Sequence, residues 1–463
     1  MKTTSILRSA FVAATLLLPA LALGQGPLNP PSSVYLYPNE RALTPAGNPT
    51  PNMKTLMQID SGEHIPSRDT NNANLNGSLG YYLLAAPGRY YLTENVSLRL
   101  LITSDNVTLD LGGFEVRYTG AGTGPIAIEA QSGVLGNVIR TKVINGRVRG
   151  NWAQGIILSD DSVVSGVDIS DTGTFGIKVG KNSQVADCRV HGTWQFGQPG
   201  GPSSAIWGND ATIVSQCTVT GIAGIGIQVN LSGRVVDSTV NFVAGCGIVT
   251  NHHCSVAGCA VRTCGSTGFD LGMGSSLHNS AASECNDSGV HVRNGCTLNN
   301  VSSRDNAGHG FLSESWTVMN QQYNKNATSY VHCVAQGNDK NGFHATSNCL
   351  FDNCTADDSG LVGNVVFGHG FYVSDHCRIT NSIAANNQLS GICGASGNTI
   401  DQCSATGNGM NGIQVANDLN IVIRNTLRSN TLAPIQPAPG TGGLAPLVSP
   451  SMITPNPFGN FGL

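Results

Sequence analysis

Residues 226–309 read GIQVNLSGRVVDSTVNFVAGC, GIVTNHHCSVAGCAVRTCGST, GFDLGMGSSLHNSAASECNDS and GVHVRNGCTLNNVSSRDNAGH, and Gly310 opens the next block. The openers Gly226, Gly247, Gly268, Gly289 and Gly310 stand 21 residues apart, an interval that marks an internal repeat. Polarity alternates after each opener. Ile227, Ile248, Phe269 and Val290 take the first place, Val229, Leu271 and Val292 the third, and Gln228, Asp270 and His291 fall between, which is the period of a strand with one buried face. Val235, Val256, Leu277 and Leu298 form a second apolar group at a fixed offset. No helical pattern fits between these groups, so a βαβ reading fails. The pattern predicts an all-β solenoid of short parallel strands, one turn per 21 residues or so, each turn pairing with the turns above and below.

Outward from this stretch the openers continue as Gly155, Gly176, Ala205 and Gly226 on one side and Gly310, Gly342, Gly370, Gly391 and Gly412 on the other. The exceptional intervals are 29, 32 and 28 residues, and they place insertions within residues 191–204, 314–330 and 359–369. Insertions in a repeat scaffold are where function usually resides. The second is long enough to suggest a weak extra turn opened near Gln321.

The chain has 463 residues, 11% of them charged, and a formal net charge of -4, which argues against a nucleic-acid partner. It begins MKTTSILRSAFVAATLLLPALALGQG, a basic start followed by a short apolar run and small residues. That is the pattern of a secretory signal peptide cleaved after Ala22 or Gly24, so the expected location is secreted, periplasmic or cell-surface. Nothing later is apolar enough to span a bilayer, and no integral membrane segment is expected. The expected organisation is a signal peptide over 1–24, a lead-in and cap over 25–98, the coil over 99–430 and a Pro/Gly-rich tail over 431–463. The tail is expected to lie along the last turns or to remain unordered.

All 14 cysteines lie between Cys188 and Cys403. Most recur at repeat offsets, as inward-stacked thiols would. Cys333 with Cys354 and Cys349 with Cys377 occupy matching offsets and are candidates for bridges. Once-per-turn spacing does not resemble a zinc site, and neither metal nor cofactor is expected. Nothing in the chain sets an oligomeric state.

The run YYLTENVSL, followed by ITSDNVTLDLGGFEV and then the GIxV turns, resembles the right-handed parallel β-helix superfamily, which includes pectin-lyase-like enzymes and NosD-like periplasmic repeat proteins. The MKTL segment at Met53–Leu56, the PGRYYLTENV entry and the NPFGNF ending resemble exported bacterial β-helix proteins of unsettled activity. The resemblance implies a single-stranded right-handed parallel β-helix. The polygalacturonase-type hydrolases of that superfamily use three aspartates, a Gly-His-Gly and an Arg-x-Lys segment. Here Gly308-His309-Gly310 and Gly368-His369-Gly370 occur, but the Asn-Thr-Asp and Arg-x-Lys elements do not, nor does the Asp-Pro-x-His of mannuronan epimerases.

Side chains two places after the openers stack in a column: Ile157, Lys178, Trp207, Gln228, Val249, Asp270, His291, Leu312, His344, Tyr372, Cys393 and Gln414. Asp270 next to His291 suits a general base oriented by a carboxylate. Arg293, two residues along, suits a uronate carboxylate or developing charge. Glu314 and His309 are near in register as second proton-transfer groups. Aromatic insertions around Trp194 and around Trp316 and Tyr323 border the column, and with Trp207 and Gln228 they make a candidate glycan groove on the order of 24 Å long by strand spacing. The leading reading is an exported protein that binds or processes polysaccharide, acidic glycans in particular, with catalysis undecided. The alternatives are a non-catalytic structural or adhesive repeat protein, whose outer column would hold no converging polar cluster, and a NosD-like role in metal-centre maturation.

Overall fold

The computed structural model describes residues 63–65, 75–76, 80–120, 123–130, 138–193, 203–314, 317–318, 321–322, 327–360, 366–417, 419–437, 444, 447–448 and 457–462. The expected signal peptide, the Met53–Leu56 segment and the insertion aromatics Trp194, Trp316 and Tyr323 lie outside the described residues.

The turn opened by Gly226 shows how the alternating sequence becomes a coil. Its strands are Ile225–Val229, Arg234–Val236 and Thr239–Val243. Each pairs in parallel with its counterpart 21 residues later, Ile227 with Ile248, Val235 with Val256 and Val240 with Val261. Repetition of this register gives three ladders, and every described element is a strand. One inward position of the first ladder forms an unbroken stack from Ile128 through Ile156, Ile177, Ile206, Ile227, Ile248, Phe269, Val290, Phe311, Phe343, Phe371, Ile392 and Ile413 to Ile435. The rings of Phe311, Phe343 and Phe371 lie parallel at centroid separations of 4.6 and 4.8 Å. Burying each such side chain stabilises the coil by about 1.5–3 kcal/mol.

The three corners of a turn are built by single residues in the left-handed region, for example Asp237 (φ 48), Phe242 (φ 52) and His253 (φ 58). The residue after each, here Ser238, Val243 and Cys254, turns inward, and its amide would be orphaned in the core. Small polar side chains of the next turn supply acceptors. Ser238 Oγ accepts from the Cys217 amide at 3.2 Å, Ser275 Oγ from that of Cys254 at 3.1 Å and Asn306 Oδ1 from that of Cys285 at 3.0 Å. Toward the C-terminal turns asparagine takes over, and Asn387, Asn408 and Asn430 chain side chain to side chain at 2.9 Å per step. Thiols occupy the same corners because they are small and accept weakly: Cys377 Sγ takes the Cys349 amide at 3.4 Å. All 14 cysteines are free, including the matched pairs Cys333/Cys354 and Cys349/Cys377. Burial pushes the Cys259 thiol up to about 11 and that of Cys403 to about 12, so these are inert packing groups.

The long interval after Gly310 hides no extra turn. Phe311 pairs directly with Phe343, Leu298 with Tyr330 and Ser303 with Ala335, so the coil skips the insertion, from which Thr317–Val318 and Gln321–Gln322 pair antiparallel. Parallel pairing already begins inside the segment read as lead-in and cap, where Glu63–Ile65 joins Tyr90–Leu92 and Tyr81–Leu84 joins Arg99–Ile102. At the other end Asn460–Gly462 adds to the third ladder beside Thr426 and Leu427. Asn460 Oδ1 there accepts from the Asn425 amide at 3.0 Å, continuing a corner column to the last described strand.

Candidate functional site

Strand alternation on the first ladder sends the residue two places after each opener outward, and the pairing register stacks these residues without a break. Lys178, Trp207, Gln228, Val249, Asp270, His291, Leu312, His344, Tyr372, Cys393 and Gln414 are consecutive partners. The column opens into a cleft of about 180 Å³ at Tyr372, Cys393 and Gln414. At its start the Lys178 ammonium sits 4.9 Å from the Trp207 ring centroid and covers one face of the indole. Gln228 Oε1 accepts from Ser204 Oγ at 3.1 Å.

Charge converges in the middle. Asp270 Oδ1 lies 2.5 Å from an Arg293 guanidinium nitrogen and 3.3 Å from His291 Nδ1. His291 Nε2 is buried, makes no hydrogen bond and lies 3.7 Å from Glu314 Oε2. Asp270 and His291 are about one-fifth exposed, whereas Glu314 is 61% exposed. Burial alone would raise the Asp270 pKa, but the His291 hydrogen bond and the Arg293 charge outweigh it and hold the carboxyl below its ordinary value. The ring of His291 turns its Nδ1 to Asp270 and its Nε2 to the side where Glu314 stands. That is the arrangement of a base oriented by a carboxylate. Arg293 is already committed to Asp270 and is not a free receptor for a uronate.

His309 does not join this group. It is 5% exposed, and its Nδ1 accepts from the Asn341 amide at 3.3 Å. Burial, with the nearby His344 and Lys340, lowers its pKa to about 3. His369 does the same one occurrence later, with Nδ1 accepting from the Ser390 amide at 3.2 Å and a pKa lowered to about 4, chiefly by burial. Both histidines fill the position before the opener, where Ser288, Asn341 and Asn411 also accept an amide from the next turn. The Gly-His-Gly matches are therefore repeat glycines flanking a corner acceptor. The sequence signal for this was the recurrence of polar residues just before the opener. With Nδ1 accepting, the His309 proton sits on Nε2, 3.4 Å from His344 Nδ1, which fixes the tautomer of a column residue not singled out from the sequence.

Of the remaining candidates, Trp207 and Gln228 lie on the column, while Trp194, Trp316 and Tyr323 lie outside the described residues. Among the described residues no group of three or more His, Cys, Asp or Glu is arranged to hold a metal ion, and no helix is long and apolar enough to cross a membrane.

Residues 126–281 match the family model described as right handed beta helix region. The all-β coil of parallel strands that runs through these residues and beyond them is the fold this description names. No curated protein matches the sequence. Among solved structures, it is similar to the A-module of Azotobacter vinelandii mannuronan C-5 epimerase AlgE6, at 14% identity over 82% of this chain and 91% of that one, with a TM-score of 0.34. The periplasmic alginate epimerase AlgG gives 12% identity over 82% of this chain and 79% of that one, TM-score 0.35. The Dettilon tailspike protein gives 14% over 75% and 62%, TM-score 0.27. Likeness at this level assigns no chemistry.

Proposed function

We propose that this is an exported protein that binds or processes a polysaccharide along the outward column of the first ladder. The observation that carries this reading is the convergence of Arg293 and Glu314 on Asp270 and His291 of that column. A regular row of outward side chains, one per strand spacing of about 4.8 Å, suits an extended polymer better than a small molecule. Glu314, the most exposed member, is what a ligand meets first, and His291 stands behind it as the oriented base. Because Arg293 is occupied by Asp270, the cluster supports proton transfer better than carboxylate capture.

The test is to incubate the purified mature protein with acidic and neutral polysaccharides and to follow both retention and new unsaturated or reducing ends. Retention on at least one polymer is expected, and none across the panel sinks the proposal. Where product forms, Asp270→Ala and His291→Ala should each abolish it; unchanged turnover in both removes the site.

A further inference from the structure

The third ladder carries a second charged face in its early turns. Two outward columns run side by side there: Glu115, Arg147, Asp168 and Arg189 in one, and Arg117, Arg149, Ser170 and His191 in the other. Four arginines on one face of four successive strands is a marked concentration in a chain of net charge -4. Asp168 does not bond the arginines opposite it; its Oδ1 turns to His191 Nε2 at 3.2 Å. Arg117 reaches Glu115 only at 4.0 Å, and Arg149 donates to Ser170 Oγ at 3.2 Å. Arg147 and Arg189 are exposed and form no ion pair among the described residues. Arg117 and Arg149 are direct register partners, and like charges opposite one another on adjacent strands are destabilising unless a counter-ion joins them.

Of these residues Arg147, Asp168 and Arg189 border a cleft of about 420 Å³. Arg147 and Arg189 stand at its sides, two strand spacings or about 10 Å apart. Gly113 and Gly166 line it as well, exposed and with nothing closer than 3.4 Å where a Cβ would stand, which leaves the backbone there open to close approach by a sugar ring. Guanidinium forks match carboxylate and sulfate oxygens in pairs. The acidic lining groups are Asp168, whose Oδ1 lies 3.2 Å from His191 Nε2, and the corner residue Asp187.

We propose that this face is an anchoring site for an acidic polysaccharide, with the rings lying over the glycine floor and their carboxylates or sulfates held by Arg147 and Arg189. It is separate from the Asp270 column and does not rest on the chemistry read there. A neutral glycan processed at Asp270 would leave it untouched.

Affinity electrophoresis of the full chain in gels containing polygalacturonate, dextran sulfate or plain dextran tests it, with a thymidine oligonucleotide as competitor. Wild type should be retarded by both acidic polymers and not by dextran through this face, with retardation falling as salt rises. Arg147→Gln/Arg189→Gln should weaken binding by about tenfold or more, while Arg262→Gln, which removes an exposed arginine paired with Glu284 elsewhere on the coil, keeps the salt-sensitive retardation. Both arginines are exposed, so the double variant should fold, and circular dichroism checks this. Retardation of the double variant equal to wild type overturns the proposal, as does no retardation of wild type by either acidic polymer. Equal competition by the oligonucleotide at the same ionic strength overturns the assignment to glycan. If only dextran or another neutral polymer is bound or turned over, this proposal fails while the Asp270 reading stands.

Discussion

His291 and His309 sit on neighbouring turns of the same coil and differ in nearly everything else. His291 stands outward between two carboxylates, with Asp270 at 3.3 Å and Glu314 at 3.7 Å. His309 is buried at the corner before its strand, accepts one backbone amide and is held neutral by burial, with its pKa lowered to about 3. The difference separates two kinds of polar residue in a β-helix. Buried corner ones satisfy backbone amides and maintain the coil, and part-exposed ones on the strand face are free to do chemistry. If the division holds, substitutions at the buried corners should unfold the protein and those on the outer face should leave it folded.

The largest effect is expected at Asn408, which is fully buried. Its Oδ1 accepts from the Asn387 amide at 3.1 Å and from Asn387 Nδ2 at 2.9 Å, and its Nδ2 donates to the Ala384 carbonyl at 3.1 Å and to Asn430 Oδ1 at 2.9 Å. Asn408→Ala strands several buried groups at once and should cost on the order of 3 kcal/mol in urea unfolding. Asn408→Ser should cost less, because Ser238 and Ser275 accept the equivalent amides at other corners of the coil. Equal loss in both variants would show that bulk rather than hydrogen bonding decides the position.

The coil itself was legible because a 21-residue period fixes which side chains stack, and the pairing register reproduces that stack from Ile128 to Ile435. The outward column was legible for the same reason. Corner chemistry was less so, since the left-handed residue is most often Asn, Asp or Gly but is also Phe242, Thr263 or His253, and its identity leaves no constant letter. His309 was misplaced on that account: position within the turn, rather than distance along the chain from Asp270, decides which way it faces. Arg293 was placed correctly but its partner was not foreseen, because side-chain direction within a strand face is settled by neighbouring charges. The insertion near Gln321 imitated a repeat through Cys333 and Ala335, which the structure shows to be the direct continuation of Val301 and Ser303.

A smaller effect, readable only against pH, is expected at the two corner histidines. Their folded pKa values are depressed from 6.5 to about 3 for His309 and about 4 for His369. Above the unfolded value both states are neutral and pH does not matter. As pH falls below it the unfolded chain takes up protons that the folded chain refuses, so stability declines toward those lower values, at up to about 1.4 kcal/mol per pH unit for each histidine. His309→Asn/His369→Asn keeps an acceptor of the kind found at Asn341 and Asn411 in this column. It should fold at neutral pH and unfold less readily near pH 5. An unchanged acid profile would mean that other groups govern acid unfolding and that these histidines are not held as the geometry requires.

Asp270→Ala should have the smallest effect on stability and so tests the outward half of the division. Asp270 is part-exposed, and water can reach the groups it leaves behind, so removing it should cost about 1 kcal/mol or less. Its depressed pKa gives the wild type a stabilising contribution that is present above the ordinary carboxylate range and fades as pH falls through the lower folded value, so the small difference between the proteins should vanish in acid. Glycan retention or turnover on the column should change far more than stability. A loss of stability comparable to that of Asn408→Ala would place Asp270, His291 and Arg293 among the structural groups, and the polysaccharide reading would then have lost the observation that supports it.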